Sequence, residues 1–326
     1  MHSPFSLHRR HLLLAAAAGA AGVHAQDFPT RPVRWICGYP AGASSDFLAR
    51  TVSVALAAQL GQQVIVDNRP GASGMIAADA AAKAPADGYT LWTGDNGTLV
   101  YNLGLFKKVS YDPVKDFATI GMMARVPIMM VAHPQAPYTD GRGLVEAMRR
   151  NPGAVSYATP GIGTPHNLAM EMLKDRANLK ATAVHYRGGA PAITDLLGNQ
   201  IGVMVLDVAS AWPLLKSGKL KPLGVFSRHR HAALPDVASF VELGYTDVEA
   251  WAWQGIVVPS ATRPEVRARL ASAFQLAMKA PEVTTKLQEY GWEVIGSRPE
   301  EMKAVWDADA KYWLPLIRER GITVES

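Results

Sequence analysis

Two short turns carry the residues that could bind an anion. Residues 39–46 (Tyr-Pro-Ala-Gly-Ala-Ser-Ser-Asp) lie between an apolar run and a helical pattern at 46–60. Residues 159–166 (Thr-Pro-Gly-Ile-Gly-Thr-Pro-His) follow a strand pattern at 155–158 and lead into a second helix. The start of a helix has unpaired backbone N–H groups and the positive end of the helix dipole, which attract a carboxylate or a phosphate. We therefore expect an anion at these turns, although an ordinary strand-to-helix connection would explain either turn by itself.

The residue types at the two turns also indicate how each helix begins. Ser44 and Ser45 offer hydroxyl groups that could cap the first helix. In the second, Thr164 stands at the N-cap and Pro165 at the first helical position. His166 lies in the first turn of that helix, where its ring could donate a hydrogen bond to a ligand or face water.

The sequence lacks the residue patterns typical of catalysis, nucleotide binding and metal binding. Residues 161–166 begin like a Gly-x-Gly-x-x-Gly fingerprint but end in His166, and residues 71–75 lack the closing glycine of a nucleophile elbow. There is no P-loop, no His-Glu-x-x-His and no calcium loop. Cys37, the only cysteine, lies in an apolar run and is expected to be a buried, inert thiol. We expect capture of a ligand without catalysis, cofactor or metal; an exported hydrolase is the enzymatic alternative.

Residues 1–25 have the features of a secretory signal peptide. Arg9 and Arg10 form a positive head, residues 12–21 are apolar, and residues 23–25 (Val-His-Ala) form a small-residue cleavage site. We expect cleavage after Ala25 and export to the periplasm, by the twin-arginine or the Sec pathway. Loss of this segment lowers the formal charge from +5 to +3, because it contains no Asp or Glu. That charge is too small for a nucleic-acid-binding surface, and no other segment is apolar for long enough to cross a membrane.

Strand and helix patterns alternate along the rest of the chain, which is typical of a parallel sheet covered by helices. The alternation occurs twice. We therefore predict an α/β fold with two domains joined by two hinge crossings, as in periplasmic binding proteins that close on a ligand like a Venus flytrap. The first domain would contain residues 26–124 and 250–326, and the second residues 125–249. The crossings are expected in strands at 120–132 and 251–258, and a helix is expected to end at Leu243.

Seven segments in order resemble one family. They are the two turns, the second extended to 157–166, together with Val-Asp-Asn-Arg-Pro-Gly-Ala-Ser-Gly at 66–74, Ala-Asp-Gly-Tyr-Thr-Leu at 86–91, Tyr-Asp-Pro-Val-Lys-Asp-Phe at 111–117, His-Tyr-Arg-Gly-Gly-Ala-Pro-Ala at 185–192 and Ala-Leu-Pro-Asp-Val at 233–237. The chain resembles the extracytoplasmic receptors of tripartite tricarboxylate transporters, the Bug family of Betaproteobacteria. The resemblance implies a Venus-flytrap receptor that hands a small organic acid to membrane permease subunits, and we expect a monomer. A receptor that docks on a sensor kinase is the alternative.

The resemblance also implies that a ligand carboxylate is held between the two turns by backbone N–H groups and hydroxyls, partly through water. The residues assigned in this way are Gly42, Ala43, Ser44, Ser45 and Asp46 in the first turn, and Thr159, Gly161, Gly163, Thr164 and His166 in the second. Ala43 replaces a glycine common in the family and would be strained if it needed a positive φ. A side chain at Gly163 is expected to enter the carboxylate seat. Arg187 stands where many relatives have lysine, which implies a bidentate contact with a second carboxylate.

The far end of the ligand is expected to meet residues that vary among relatives. The candidates are Tyr39, Trp92, Asp95, Asn96, Asp207, Trp253 and Gln254. Their aromatic rings could pack against a hydrophobic or aromatic acid, although aromatic residues of this kind more often belong to the core. Asp207 could select a ligand that bears an amine, or could cap the helix that follows it. The predicted ligand is a mono- or dicarboxylate, aromatic acids included.

Overall fold

The computed structural model describes residues 28–324, and the predicted signal peptide lies outside this range. The strands are β1 (Val33–Cys37), β2 (Val64–Asn68), β3 (Thr90–Asp95), β4 (Phe117–Ala132), β5 (Ser156–Thr159), β6 (Thr182–His185), β7 (Val203–Asp207), β8 (Lys221–Val225), β9 (Trp251–Pro259) and β10 (Glu293–Val294). The helices are α1 (Ser44–Leu60), α2 (Met75–Ala82), α3 (Asn102–Leu105), α4 (Pro113–Asp116), α5 (Gly141–Arg150), α6 (Pro165–Arg176), α7 (Gly189–Leu197), α8 (Val208–Lys216), α9 (Pro264–Met278), α10 (Pro281–Glu289) and α11 (Pro299–Glu319). In the described range, no helix combines the length and the apolar character needed to span a bilayer.

One long strand connects the two halves of the sheet. The strand order is β2-β1-β3-β9-β4-β7-β5-β6, and both β8 and β10 pair with β4. Within the 16-residue β4, residues 117–127 pair with β9, whereas residues 128–132 pair with β7 and β8. The strand that was expected to cross between two groups of strands is therefore present. The change of partners falls between residues 127 and 128, and the division at residues 124/125 and 249/250 stays a proposal.

The strand directions bring the carboxyl ends of the two halves together. β1 is parallel to β2 and β3, and β9 is antiparallel to β3 and β4, so β4 runs in the direction of β1. In the second half, β7 is antiparallel to β4, and β5 is parallel to β6 and β7. The carboxyl ends of β1 and β3 therefore point toward those of β5, β6 and β7. The first turn follows β1 and the second turn follows β5, so the two turns lie at facing edges.

The central strands of the sheet are buried on both faces. Alternate residues of β4 belong to two different hydrophobic clusters, Ile128 and Met130 to one, and Met129 and Val131 to the other. Side chains alternate between the two faces of a strand, so a strand covered on both sides appears in the sequence as a continuous apolar run. Cys37 of β1 is also buried, and burial raises the pKa of its thiol to about 11. The thiol is therefore protonated at neutral pH and inert, as expected.

Helix α1 begins earlier than the sequence suggests. Its N-cap is Ala43, with φ −71° and ψ 162°, and no side chain caps the helix. Ser44 and Ser45 are the first two helical residues, so the prediction that their hydroxyls cap this helix is wrong. The left-handed residue is Gly42, with φ 83°, and Ala43 is consequently unstrained. At the other end Gly61 closes α1 with φ 70°, as expected of a C-cap glycine.

The helix that the sequence predicts before Leu243 does not form, because residues 232–245 make a series of turns. Ser239 instead forms a parallel bridge with Val225 of β8, and Phe240 N donates to Val225 O at 2.9 Å. The ring of Phe240 packs on Phe226, with centroids 4.6 Å apart. These contacts with residues earlier in the chain outweigh the local helical pattern.

Candidate ligand-binding site

A buried carboxylate holds the first turn in shape. Asp46 is 3 % exposed and accepts hydrogen bonds from Gly42 N at 2.9 Å, Asn68 Nδ2 at 2.8 Å and Arg50 Nε at 3.0 Å. Burial alone would raise the pKa of Asp46, but these donors outweigh burial and lower the pKa below its ordinary value. The left-handed φ of Gly42 lets its N–H reach this carboxylate. Asp46 therefore shapes the turn, and its oxygens are occupied within the protein.

Three backbone donors precede the first hydrogen bond of α1. That bond runs from Phe47 N to Ala43 O at 2.9 Å, and Ala43 has no side chain that could cap the helix. The N–H groups of Ser44, Ser45 and Asp46 come before it and lie at the open end of the helix. Together with the positive end of the helix dipole, they form a site suited to one carboxylate.

Ser45 connects the start of α1 to strand β9. Its hydroxyl oxygen is buried and accepts a hydrogen bond from Gln254 Nε2. Because the oxygen is the acceptor in that bond, the hydroxyl proton of Ser45 can be donated to an anion. Gln254 is paired in register with Asp95 of β3 and Ala124 of β4, so the base of this site is the centre of the sheet.

Three of the residues that were expected to meet the far end of the ligand form hydrogen bonds within the protein. Asp95 is buried and accepts from Tyr39 Oη at 2.5 Å and from Thr98 N at 2.7 Å. Burial nevertheless raises the pKa of Asp95, because these donors offset only part of the effect of burial. Asn96 is buried and donates from Nδ2 to Trp251 O at 2.6 Å. Tyr39, which is half-buried, is the most accessible of the three.

The two tryptophan candidates belong to the core. Trp92 and Trp253 are 1 % and 2 % exposed. The ring of Trp92 packs on Phe117, with centroids 4.6 Å apart, and Trp253 Nε1 donates to Asp309 Oδ2 at 2.6 Å. Burial raises the pKa of Asp309 to about 6, and the bond from Trp253 opposes this rise. Both rings are enclosed by protein and are not part of the proposed site.

The second turn forms most of its hydrogen bonds within itself. Thr164 Oγ1 accepts from Asn167 N at 3.3 Å and donates to Gly161 O at 2.8 Å, which confirms Thr164 as the N-cap of α6. Asn167 Oδ1 accepts from Gly163 N at 2.9 Å, and Pro165 has no N–H. The second turn therefore offers fewer free donors than the first.

The residues beside the second turn differ widely in exposure. Thr159 Oγ1 bonds to His185 Nδ1 at 2.8 Å, and partial burial lowers the pKa of His185. Arg187 is exposed, and among residues 28–324 it has no ion pair or side-chain hydrogen bond. Its contact with a second ligand carboxylate stays a prediction.

His166 and Asp207 lie side by side at the second turn. Nε2 of His166 is 3.5 Å from Asp207 Oδ2, and the two side chains are 12 % and 10 % exposed. Within the described part of the chain, neither ring nitrogen of His166 has an aligned hydrogen-bond partner. Asp207 accepts from Ser210 N and Ser210 Oγ, both at 2.8 Å, which confirms that it caps α8. Burial would raise the pKa of Asp207, but His166 and Ser210 outweigh burial and lower it.

Gly163 is in contact with the opposite half of the molecule. It has φ 71°, and a Cβ at this position would overlap both δ-carbons of Leu105 at the end of α3. This contact is a packing reason for a glycine here, and the expected reason, room for the ligand carboxylate, stays a prediction. Leu105 fills the space above Gly163, so the two halves touch at this point.

The structure adds four residues that were not candidates. They are Arg50, Asn68, Leu105 and Asn167. Arg50 follows Asp46 at the i,i+4 spacing of helical ion pairs, Asn68 lies in the 66–74 segment, and Asn167 has the spacing of a capping box. No local pattern distinguishes Leu105. In residues 28–324, no group of three or more His, Cys, Asp and Glu side chains could hold a metal ion.

Two α/β halves with anion donors at facing edges define a binding protein of the periplasmic type. A sequence profile of TctC, the tripartite tricarboxylate transporter family receptor, matches residues 48–322, and the chain belongs to this family. BugT of Bordetella pertussis (strain Tohama I) is 29 % identical over 311 residues, with 95 % of each chain covered. A UPF0065 protein in the tcbD-tcbE intergenic region of Pseudomonas sp. (strain P51) is 34 % identical over 317 residues, covering 95 % of this chain and 94 % of that protein. The resemblance to the Bug family is confirmed.

Two solved structures are similar to this one over almost their whole length. MatC (Rpa3494) from Rhodopseudomonas palustris with bound malate has a TM-score of 0.80 and 28 % identity, covering 89 % of this chain and 100 % of that one. R. palustris Rpa4515 with adipate has a TM-score of 0.85 and 30 % identity, covering 91 % and 100 %. The predicted fold class, α/β of the periplasmic-binding-protein type, is confirmed, and the protein is a periplasmic solute-binding receptor.

Proposed function

We propose that this protein captures a small mono- or dicarboxylate between the two turns and delivers it to the permease subunits of a tripartite tricarboxylate transporter, without catalysis. The observation that carries the proposal is the set of donors at the start of α1. Three backbone N–H groups and the hydroxyl group of Ser45 lie at one end of a 17-residue helix that no side chain caps.

The ligand class is supported by the two similar structures. Their ligands, adipate and malate, are both dicarboxylates, and the chains have the same fold as this one. We assign the first carboxylate to the start of α1 and a second, where the ligand has one, to the exposed guanidinium of Arg187, which can bind a carboxylate through two N–H groups. Aromatic acids stay within the proposed class.

Closure of the two halves on the ligand would occur at the two strands that join them. β4 and β9 connect the two domains that we propose. The first contains residues 26–124 and 250–326, and the second contains residues 125–249. We further propose a signal peptide cleaved after Ala25, and a monomer in the periplasm. The TctC family, whose members are transporter receptors, supports a permease as the partner.

A thermal-shift screen of the mature protein tests the proposal. The panel contains mono-, di- and tricarboxylates, aromatic acids and amino acids. A ligand at a hundred times its dissociation constant adds about 2.7 kcal/mol to the free energy of unfolding, which raises the midpoint by several degrees. A panel without any responsive acid, in protein first denatured and refolded to release bound ligand, would contradict the proposed class.

The site within the fold is tested by Ser45→Ala. Removing this hydroxyl should weaken the binding of a responsive acid by about 0.5 to 1.5 kcal/mol, the contribution of one neutral hydrogen bond. The matched control is Ser53→Ala in the same helix, whose hydroxyl donates to Arg50 O at 2.9 Å. Equal affinities of the two variants by titration calorimetry would show that Ser45 does not contact the ligand.

A further inference from the structure

Only one of the two polar atoms of the Gln254 side-chain amide has a hydrogen-bond partner. The residue is 6 % exposed, and its Nε2 donates to Ser45 Oγ. Its Oε1 is buried and has no hydrogen-bond donor among residues 28–324. A buried acceptor without a donor is costly, so this oxygen calls for a partner from outside the chain, such as a ligand group or a water.

The position of Gln254 places this acceptor beside the proposed carboxylate seat. Oε1 and Nε2 belong to the same planar amide, so Oε1 lies next to the contact with Ser45 at the start of α1. β9 carries Gln254 between Asp95 of β3 and Ala124 of β4, at the edge where the first turn begins. An acceptor at this place lies close to the donors at the start of α1.

Three side-chain donors at and around Asp95, the register partner of Gln254, are already used. Tyr39 Oη and Thr98 Oγ1 both donate to Asp95, at 2.5 and 2.8 Å. Asn96 Nδ2 donates to Trp251 O at 2.6 Å. The protein therefore supplies no side chain from this group that could satisfy Gln254 Oε1, and a ligand group can.

We propose that Gln254 is a specificity-determining residue that selects acids with a hydroxyl or ammonium group on the carbon next to the bound carboxylate. This inference rests on the proposed function. The start of α1 binds the carboxylate, and the adjacent O–H or N–H of the ligand donates to Gln254 Oε1. An acid without that donor leaves Oε1 dehydrated and unpaired, and sites built around a hydrogen bond reject such analogues strongly.

The test uses acids of equal carbon length on the full mature protein. Succinate, malate and aspartate differ only in the substituent at one carbon, and titration calorimetry gives the dissociation constant of each. We expect malate or aspartate to bind roughly 10- to 100-fold more tightly than succinate, the range for one unpaired buried acceptor. The malate-to-aspartate ratio shows whether the neutral or the charged donor is preferred.

Two variants assign any preference to its residue. Gln254→Met has nearly the same length without the acceptor, and it should bring the ratio between substituted and unsubstituted acids close to one. Ser45→Ala removes the partner of Nε2 but keeps Oε1, so it should weaken all three acids and preserve the ratio. Residual binding of succinate by Gln254→Met shows that this variant is folded.

The outcomes separate this inference from the proposed function. Equal affinities for the three acids in the unsubstituted protein, or a preference that survives in Gln254→Met, would overturn the role of Gln254 and leave carboxylate binding intact. Failure of every carboxylate in the larger panel to bind would overturn the proposed function, and this inference with it.

Discussion

The two turns have the same strand-turn-helix geometry but use their backbone donors in opposite ways. The first has alanine at the N-cap, so the N–H groups that open α1 stay available. In the second, Thr164 caps α6, Asn167 accepts the N–H of Gly163, and Pro165 contributes none. A cap stabilises a helix by occupying the donors that an anion would use. A helix start that binds a ligand therefore benefits from a poor N-cap residue, and a helix start that only supports the structure benefits from a good one.

The left-handed glycines of the two turns also differ, because one has free space around it and the other is packed. Gly42 and Gly163 both have a left-handed φ, 83° and 71°. A Cβ at Gly42 would meet no atom within 4 Å, whereas a Cβ at Gly163 would overlap Leu105. The first turn is open to solvent at this position, and the second is packed against the opposite half of the molecule.

Gly163→Ala should have the largest effect. The added methyl group strains the backbone by about 1 to 2 kcal/mol and overlaps Leu105, for which overpacking costs about 1 to 3 kcal/mol more. The strain is present with or without ligand, but the overlap exists only when the halves are together. We therefore expect calorimetric affinity to fall roughly 5- to 150-fold, while Gly42→Ala loses stability by the strain alone.

A double variant shows which contact is responsible. In Gly163→Ala/Leu105→Ala the overlap is removed, so affinity should recover relative to Gly163→Ala. Unchanged weak binding in the double variant would mean that the methyl group occupies the ligand seat itself, as the sequence first suggested, and that the second turn resembles the first more than its contacts indicate.

The carboxylates with shifted pKa values provide a second contrast, which is visible in the pH dependence of stability. Asp46 and Asp207, one at each turn, have lowered pKa values, so their stabilisation is lost only in acid, as pH falls below the ordinary aspartate range. Asp309, behind β9, has its pKa raised from 3.8 to about 6. The folded state then holds a proton that the unfolded state has lost, so stability falls as pH rises from about 4 to 6.

Asp309→Asn should remove this fall, which is at most about 3 kcal/mol at 1.36 kcal/mol per pKa unit. Urea denaturation at pH 4.5 and pH 7 measures it, and some slope should remain because the pKa of Asp95 is raised as well. Asp307→Asn, on the same helix and in an exposed ion pair with Lys303, controls for the loss of a charge. If Asp309→Asn and Asp307→Asn change the slope equally, burial of Asp309 is not its cause.

Thr164→Ala tests the structural role of the second turn. Loss of the N-cap should lower the free energy of unfolding by about 1 kcal/mol, because Asn167 N and Gly161 O both lose a partner. Affinity for the acid should change little. If calorimetry shows affinity loss as large as in Ser45→Ala, the second turn also supplies donors to the ligand, and the contrast between the turns disappears.

The sequence predicts the fold correctly where the local residue pattern and the tertiary contacts agree. The apolar run of β4, which Arg125 interrupts, and the Thr164-Pro165 helix start are local signals, and both are present as predicted. The helix expected before Leu243 failed because Ser239 and Phe240 pair with Val225, a contact that a local pattern does not contain.

The site was less accessible because its geometry depends on pairs of residues far apart in the chain. Glycine and serine at a turn predict that an anion could bind, but they do not show that Leu105 covers Gly163 or that Gln254 reaches Ser45. The identity of the N-cap was misjudged for a different reason. Ser44 and Ser45 are good capping residues, and the left-handed Gly42 shifts the start of the helix so that Ala43 takes that position.

Ala43→Ser gives helix α1 a capping residue at its N-cap, as α6 has in Thr164, and we expect it to have the smallest effect. A serine at the N-cap can accept from the N–H of Ser45 or Asp46, which should raise the free energy of unfolding by about 0.5 to 1 kcal/mol. The same bond occupies a donor that the carboxylate would use, so affinity should fall by a few-fold. Urea denaturation and calorimetry on one preparation measure both changes. A variant that gains stability without losing affinity would show that the ligand does not depend on these N–H groups, and that the poor cap of α1 needs another explanation.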